Sequence, residues 1–244
     1  MKNQYLLYFL CFFLFSCEKD ASLTSQVTTR IKNLVLTTAR LGFNSTDSFV
    51  YQYDSLNRVI SEKAFPSNDS ISYTYDALNS YVQKLYKNGV EKSNIIYLLN
   101  SIGKIDSTLI ISSNKMDTAT VKWIYQNTNK INKVYHYDVK KVLWKIETYT
   151  YDGNNNVLNI EENLVKDNTL NTRTFEVNSV KPYWYSTHPY GMPILFTNTP
   201  TKQITNGNII SNITYEFDQL NRITKEIWET TANNSLTTKK YTYY

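Results

Sequence analysis

The sequence predicts an all-β protein, an antiparallel meander of repeated hairpins that curls into one large open or barrel-like sheet. Three observations carry that expectation. A short phrase, aromatic-Asp-x-x-Asn-basic-aliphatic, recurs along the chain. It is complete at Tyr53-Asp54-Ser55-Leu56-Asn57-Arg58-Val59 and at Phe217-Asp218-Gln219-Leu220-Asn221-Arg222-Ile223. The segments ahead of each copy alternate apolar and polar residues at period two, the mark of a strand covered on one face. The 244 residues include 21 Tyr but only 6 Gly and 5 Pro, a composition suited to pleated, half-buried surfaces. No apolar pattern at helical spacing is present, so little helix is expected.

Residues 1–16 read as a secretory signal. Lys2 precedes an apolar run from Tyr5 to Phe15, and Ser16-Cys17 follows. The run is shorter than the roughly 20 apolar residues a helix needs to span a bilayer. Leu14-Phe15-Ser16-Cys17 looks like a bacterial lipobox, in which Cys17 is lipidated and becomes the mature N-terminus. The other cysteine, Cys11, lies in the part that would be removed, so no disulfide is expected. Residues 17–29 are polar without a strand pattern and read as a lipidated tether. Several acyl chains on one terminus would anchor it stably. The β domain occupies residues 30–244.

Within that domain the anchor residues of the phrase are Tyr53, Tyr75, Leu99, Tyr125, Tyr151 and Phe217, and Tyr243 holds a seventh anchor position. The gap between Tyr151 and Phe217 leaves room for about three units whose signature has decayed. One residue after the anchors stand Asp54, Asp76, Asn100, Gln126, Asp152 and Asp218. Four residues after them stand Asn57, Asn79, Gly103, Asn129, Asn155 and Asn221. Asp or Asn opens a type I turn by bonding its own backbone, and Asn or Gly accepts the positive φ that closes a bulged hairpin loop. Each acid is alone in its loop, whereas a calcium loop gathers several oxygen side chains. The pattern is therefore structural, and no metal or other cofactor is expected.

The strands before the anchors put Phe49, Tyr51 and Tyr53 on one face, then Ile71, Tyr73 and Tyr75, then Val121, Trp123 and Tyr125. The strands after them, such as Val59 to Phe65, alternate less clearly. Second turns are expected at Asn68-Asp69, Asn88-Gly89, Asn114-Lys115, Asp167-Asn168 and Asn233-Asn234, with Asn88-Gly89 fitting a type I′ turn. The total is about fourteen strands, too many for an open twisted sheet to remain flat. The stretch from Pro182 to Pro193, within an irregular insertion near 180–200, cannot continue a strand because it holds three prolines. Its Trp184, Tyr185, His188 and Tyr190 are the candidate ligand-binding residues. The competing reading, a plug over one end of the sheet, is favoured because so apolar a loop would otherwise stand exposed.

The Tyr-Asp-x-x-Asn-Arg phrase resembles the YD repeat of Rhs and teneurin-type shells, with Asn in place of the usual Gly. Over residues 45–244 the chain resembles small YD-repeat-like lipoproteins of Bacteroidetes-type bacteria, of the DUF4595 kind. The lipobox, the degenerate repeats, the Pro-aromatic interruption and the segment Phe196 to Ile204 before a good last repeat carry that resemblance. It implies a repeat-built β fold and an outer-membrane location, periplasmic or surface-exposed, with no assigned activity.

Few residues invite catalytic chemistry. Of the two histidines, His136 alternates within a strand and is expected on the polar face, and His188 lies in the Pro-aromatic loop. No nucleophile elbow, metal-ligand spacing or phosphate loop occurs. The net charge of +5 is spread over scattered Lys and Arg, without the basic stripe of a nucleic-acid binder. The expectation is a non-catalytic binding or scaffolding lipoprotein. Its partners would be the membrane, through its anchor, and a surface protein or glycan. The alternatives are a glycan-processing enzyme with an aromatic-lined groove and a lipid-carrying half barrel. The direction taken by Tyr51, Tyr73, Trp123 and Tyr215 separates them: buried rings are core, rings along an open groove are a sugar site.

Overall fold

The computed structural model describes residues 30–40, 43–76, 79–112, 118–127, 130–182, 196–231 and 234–244, the side chains of 179–182 excepted. The described chain is all β, with no α-helix. Its strands are β1 (Ile31–Arg40), β2 (Phe43–Tyr53), β3 (Val59–Phe65), β4 (Ser70–Asp76), β5 (Ser80–Lys87), β6 (Val90–Leu99), β7 (Ile105–Ser112) and β8 (Thr118–Tyr125). They continue with β9 (Ile131–Tyr137), β10 (Leu143–Tyr151), β11 (Val157–Leu164), β12 (Thr169–Pro182), β13 (Asn198–Thr205), β14 (Ile209–Phe217), β15 (Ile223–Thr230) and β16 (Ser235–Tyr243). Each strand pairs antiparallel with its sequence neighbours. β1 pairs with β16, from Ile31↔Tyr243 to Ala39↔Leu236, so the sheet is a closed barrel without an edge.

The strand number is sixteen where about fourteen are expected. The interval between Tyr151 and Phe217 holds β11 to β14, two hairpin units rather than about three. The first strand, β1, carries only the tail of the repeated phrase, Arg30-Ile31, and has no anchor of its own.

The structure also shows why the strands after the turns alternate poorly. Opposite Gln52-Tyr53, β3 presents Ser61 and Val59, leaving Ile60 as an extra residue. The same offset leaves Asp106, Asn132, Leu158 and Thr224 extra in β7, β9, β11 and β15. A bulge inserts one residue and switches which side chains face in. Inward positions therefore fall three apart there: Val59 then Glu62, Ile131 then Val134, Val157 then Ile160, Ile223 then Glu226. Strict period two does not survive the bulge.

A sixteen-stranded barrel is wide enough for an aqueous lumen, but one end of this one is filled. The first inward residue of each odd strand is buried: Ile31, Val59, Tyr81, Ile105, Ile131, Val157, Pro200 and Ile223. The tyrosines of the even strands pack behind them. Tyr51, Tyr73, Tyr97 and Tyr241 are buried, and Tyr81 stacks on Tyr97 with 4.4 Å between centroids. Arg30 and Tyr244, the end of β12 and the start of β13 lie at this closed end. The opposite end carries the turns after the odd strands.

Candidate functional site

The repeated phrase builds the closed end, and each of its positions has a task. In the first copy Asp54 Oδ1 accepts the backbone N–H groups of Leu56 and Arg58, both at 2.9 Å, and Oδ2 accepts Arg58 Nε at 2.7 Å. Asp218 repeats the arrangement with Leu220 and Arg222 at the same three distances. Asn100 accepts from Ile102 and Lys104, and Asp152 from Asn154 and Asn156. Burial opposes the charged form of Asp54, Asp152 and Asp218, but the hydrogen bonds from their own loops outweigh it and hold these carboxyls below the usual range. The fourth residue takes positive φ in each described loop: Asn57, Asn79, Gly103, Asn155 and Asn221. Asn129 lies outside the described residues. Asp76 differs from the other acids, standing inside β4 and pairing with Ser80 rather than opening a bulged loop.

The anchor and the basic residue work between units. The hydroxyl of Tyr53 donates to the Ile31 carbonyl at 2.9 Å, Tyr75 to Val59 at 2.7 Å, Tyr125 to Ile105 at 2.8 Å and Tyr243 to Ile223 at 2.6 Å. Arg58 lies over the Tyr75 ring and Arg222 over Tyr243, at 4.2 and 4.4 Å from the centroids. Each turn thus caps the anchor of the next unit. Burial pushes the Tyr125 hydroxyl up to about 12, so it remains a proton donor throughout the physiological range.

Beyond the aliphatic ring, buried carboxylates interrupt the inward apolar face. Glu226 is fully buried and holds Lys239 Nζ at 2.9 Å, the Tyr241 hydroxyl at 3.0 Å and the Trp228 ring N–H. Glu147 gathers Lys145 Nζ at 2.8 Å, the Tyr149 hydroxyl at 2.6 Å and His136 Nε2 at 3.5 Å, and Lys145 also reaches Glu162 at 3.3 Å. Burial raises the Glu147 carboxyl, but the nearby His136 and the hydrogen bonds from Lys145 and Tyr149 overcome this and hold it well below its ordinary value. Such a group does not donate a proton near neutrality. His136 was expected on the polar face. Its partners Val121 and Lys145 across the ladder turn inward, and His136 turns inward with them. Strand parity is again the reason, because the extra Asn132 shifts every later residue of β9.

The open end holds a cavity of about 450 Å³. Phe49, Ala64, Ile71 and Leu85 form its apolar wall. Asp47 and Glu62 face it from β2 and β3, and Asp69, Lys87 and Lys92 stand near its mouth. Burial raises the Glu62 carboxyl. Among the described residues, neither Glu62 nor Asp47 has a hydrogen bond or ion pair. The rim adds exposed apolar side chains at the starts and ends of strands, including Phe43, Phe65, Val90, Val142, Leu170 and Leu236.

Two parts of the sequence reading meet the structure differently. Tyr51 and Tyr73 are buried, while Trp123 and Tyr215 pack against the core, with Tyr215 donating to the Pro200 carbonyl at 2.7 Å. They are core, not a groove. Cys17, Trp184, Tyr185, His188 and Tyr190 lie outside the described residues. The segment after that loop is docked firmly: Asn156 Oδ1 accepts the N–H groups of Thr197 and Asn198 and the Thr197 hydroxyl. Sequence reasoning missed the cavity because its residues come from five strands and form no linear motif. It also missed the turn at Asp138, where Lys141 takes the positive φ without being Asn or Gly.

No protein family and no curated protein matches the chain. Among solved structures, it is similar to a porin-like protein from Bacteroides uniformis, with a TM-score of 0.65 and 12% identity, covering 88% of this chain and 98% of that one. A porin-like protein from Bacteroides vulgatus gives a TM-score of 0.56 and 9% identity over the same shares. At these identities the likeness is one of fold.

Proposed function

We propose that this protein is a non-catalytic binding module of the bacterial cell envelope. Lipidated Cys17 holds it at the membrane, and the open end of the barrel does the recognising. The observation that carries this reading is the polarity of the two faces. The buried tyrosines and aliphatic residues point in. Lys63, Lys122, Glu161, Glu176, Glu216, Glu229 and Lys240 point out from seven strands and are exposed. A membrane-spanning barrel has an outward apolar band about 25 Å tall, and a charged side chain at its midplane costs about 2–4 kcal/mol. Seven such charges fit a barrel standing in water beside the membrane, tied to it by a lipid. The porin-like neighbours supply an envelope context for such a barrel in Bacteroides.

Strand β1 begins at the closed end, so a tether at residues 17–29 attaches there. The cavity and its apolar rim then face away from the attachment point, as recognition of an external ligand requires. The resemblance of the phrase to the YD repeat fits the same picture, since the turn network gives each position of the phrase a structural task. The glycan-enzyme alternative loses its motivating feature with Tyr51 and Tyr73 in the core. Labelling with a clickable fatty acid tests the anchor: the wild type should incorporate it and Cys17→Ala should not, and normal maturation of Cys17→Ala would refute the anchoring. Binding is tested by pull-down from envelope extracts or on a glycan array. Val90→Asp at the open rim should weaken capture while Leu56→Asp at the closed end should not.

A further inference from the structure

The chain contains two copies of one interior site, one complete and one lacking two side chains. Glu62 and Glu226 occupy the same place in the repeat, three residues after Val59 and Ile223. Glu226 stands opposite Tyr215 in β14 and Lys239 in β16. Glu62 stands opposite Tyr51 in β2 and Ile71 in β4. The matching continues outward. Tyr73 takes the place of Tyr241, and Ala64 takes the place of Trp228.

In the complete copy the carboxylate has an internal cation and an indole beside it, Lys239 and Trp228. In the other copy Ile71 and Ala64 replace them, and the space they would fill belongs to the 450 Å³ cavity. The other ion-paired inward carboxylates, Glu147 and Glu162, also have a lysine within the barrel. Glu62 has no hydrogen-bond or ion-pair partner among the described residues. A partly buried carboxylate without a cation is costly, and an apolar-walled cavity is where one could be supplied from outside.

We infer that this cavity binds a small organic ammonium with a flat apolar body, an arylalkylamine, whose ammonium pairs with Glu62 and whose ring packs against Phe49, Ala64, Ile71 and Leu85. The ligand stands in for the two side chains that the sister site carries. The inference rests on the reading of the protein as a binding module and names the ligand class for its open end. Asp47 and Asp69 add two further negative charges to the lining, against the two positive charges of Lys87 and Lys92.

Tryptamine is the natural probe, with tryptophol and indole-3-propionate as neutral and anionic controls of similar shape. Titrations are followed by calorimetry on the mature full-length protein, with chemical-shift mapping of the cavity residues. Tryptamine should bind about tenfold or more tightly than either control, the loss expected for a charged hydrogen bond. Glu62→Gln should remove that preference. Ala64→Trp combined with Ile71→Lys, which writes the sister site into the cavity, should abolish binding. Glu226→Gln should leave it unchanged. Equal affinity for tryptamine and tryptophol at the cavity would overturn the ammonium assignment while leaving a binding module in place. No binding of tryptamine would overturn the inference outright, and capture of an envelope partner in the pull-down would still uphold the binding-module reading on its own.

Discussion

Replacing Asp218 with alanine removes three hydrogen bonds at once from one closed-end turn. Two are backbone N–H groups, of Leu220 and Arg222, and the third is the Arg222 guanidinium, whose side chain and partner are both about four-fifths buried. Loss of an Asp that caps backbone donors costs about 1 kcal/mol, within a range of about 0.5–2. The partly screened ion pair adds up to about 1 kcal/mol. Asp218→Ala should therefore lower stability by about 2 kcal/mol, or about 4–8 °C in Tm for a domain of this size. Asp218→Asn separates the two contributions. Asn100 already performs the backbone part of this role in the third unit, so the Asn variant should lose only the ion pair and fall by about 1 kcal/mol or less. Asp54→Ala should match Asp218→Ala, since the distances are the same. The two turns share no contacts, so the losses should add in the double variant. Urea melts followed by circular dichroism and tryptophan fluorescence measure all four variants. An alanine variant within about 0.5 kcal/mol of wild type, the ordinary scatter of surface substitutions, would refute the account, as would an Asn variant as weak as the alanine one.

Other expectations follow from the same geometry. Asn221→Gly should be neutral or slightly stabilising, whereas Asn221→Val should cost about 1–2 kcal/mol, because a β-branched residue is strained at φ 57; equal melts for the two would remove the turn argument. Tyr75→Phe leaves the Val59 carbonyl without its 2.7 Å donor and should cost about 1 kcal/mol in a urea melt. Lys239→Met strips the cation from fully buried Glu226 and should cost about 3 kcal/mol, with the double variant Lys239→Met/Glu226→Leu recovering most of it; failure of that rescue would show that packing, not charge, holds the site. Glu62 is faced by Asp47, Asp69, Tyr73, Lys87 and Lys92, and burial raises its folded pKa above the unfolded value. The folded state then binds the extra proton, so stability falls as pH rises from the unfolded pKa through the folded one. Glu62→Gln should accordingly gain on wild type above that window and lose its advantage below it; parallel stability–pH curves for the two proteins would contradict this.

The fold could be read from sequence because its signals are local. Asp54 and Asn57 sit in one loop, and the alternation of Phe49, Tyr51 and Tyr53 needs only one strand. The bulges could not be read, because Ile60 or Leu158 is an ordinary strand residue whose status depends on the partner strand. One such residue, Asn132, carried His136 from the expected polar face to the inward one. The cavity was hidden for a related reason. Ala64 and Ile71 are unremarkable in isolation and become informative only beside Trp228 and Lys239, once the register shows which positions correspond. The tail Arg30-Ile31 was a usable sign of β1, since Arg-aliphatic also ends the phrase at Arg58-Val59.

The seam between β1 and β16 has a kinetic consequence. Every other strand pair in the barrel joins neighbours in sequence and can form as soon as its hairpin exists. The seam alone joins the two ends of the chain, Ile31 with Tyr243. Until the last strand is made, the nascent protein is an open curved sheet with two unsatisfied edges, and such edges invite pairing with other chains. Pairings between residues distant in sequence are also the slow ones. Closure of the ring is therefore the step at which this protein commits either to a monomer or to exchanging strands with a second copy. Slowing it, by weakening the β1–β16 contacts or truncating β16, should divert newly made chains into domain-swapped oligomers.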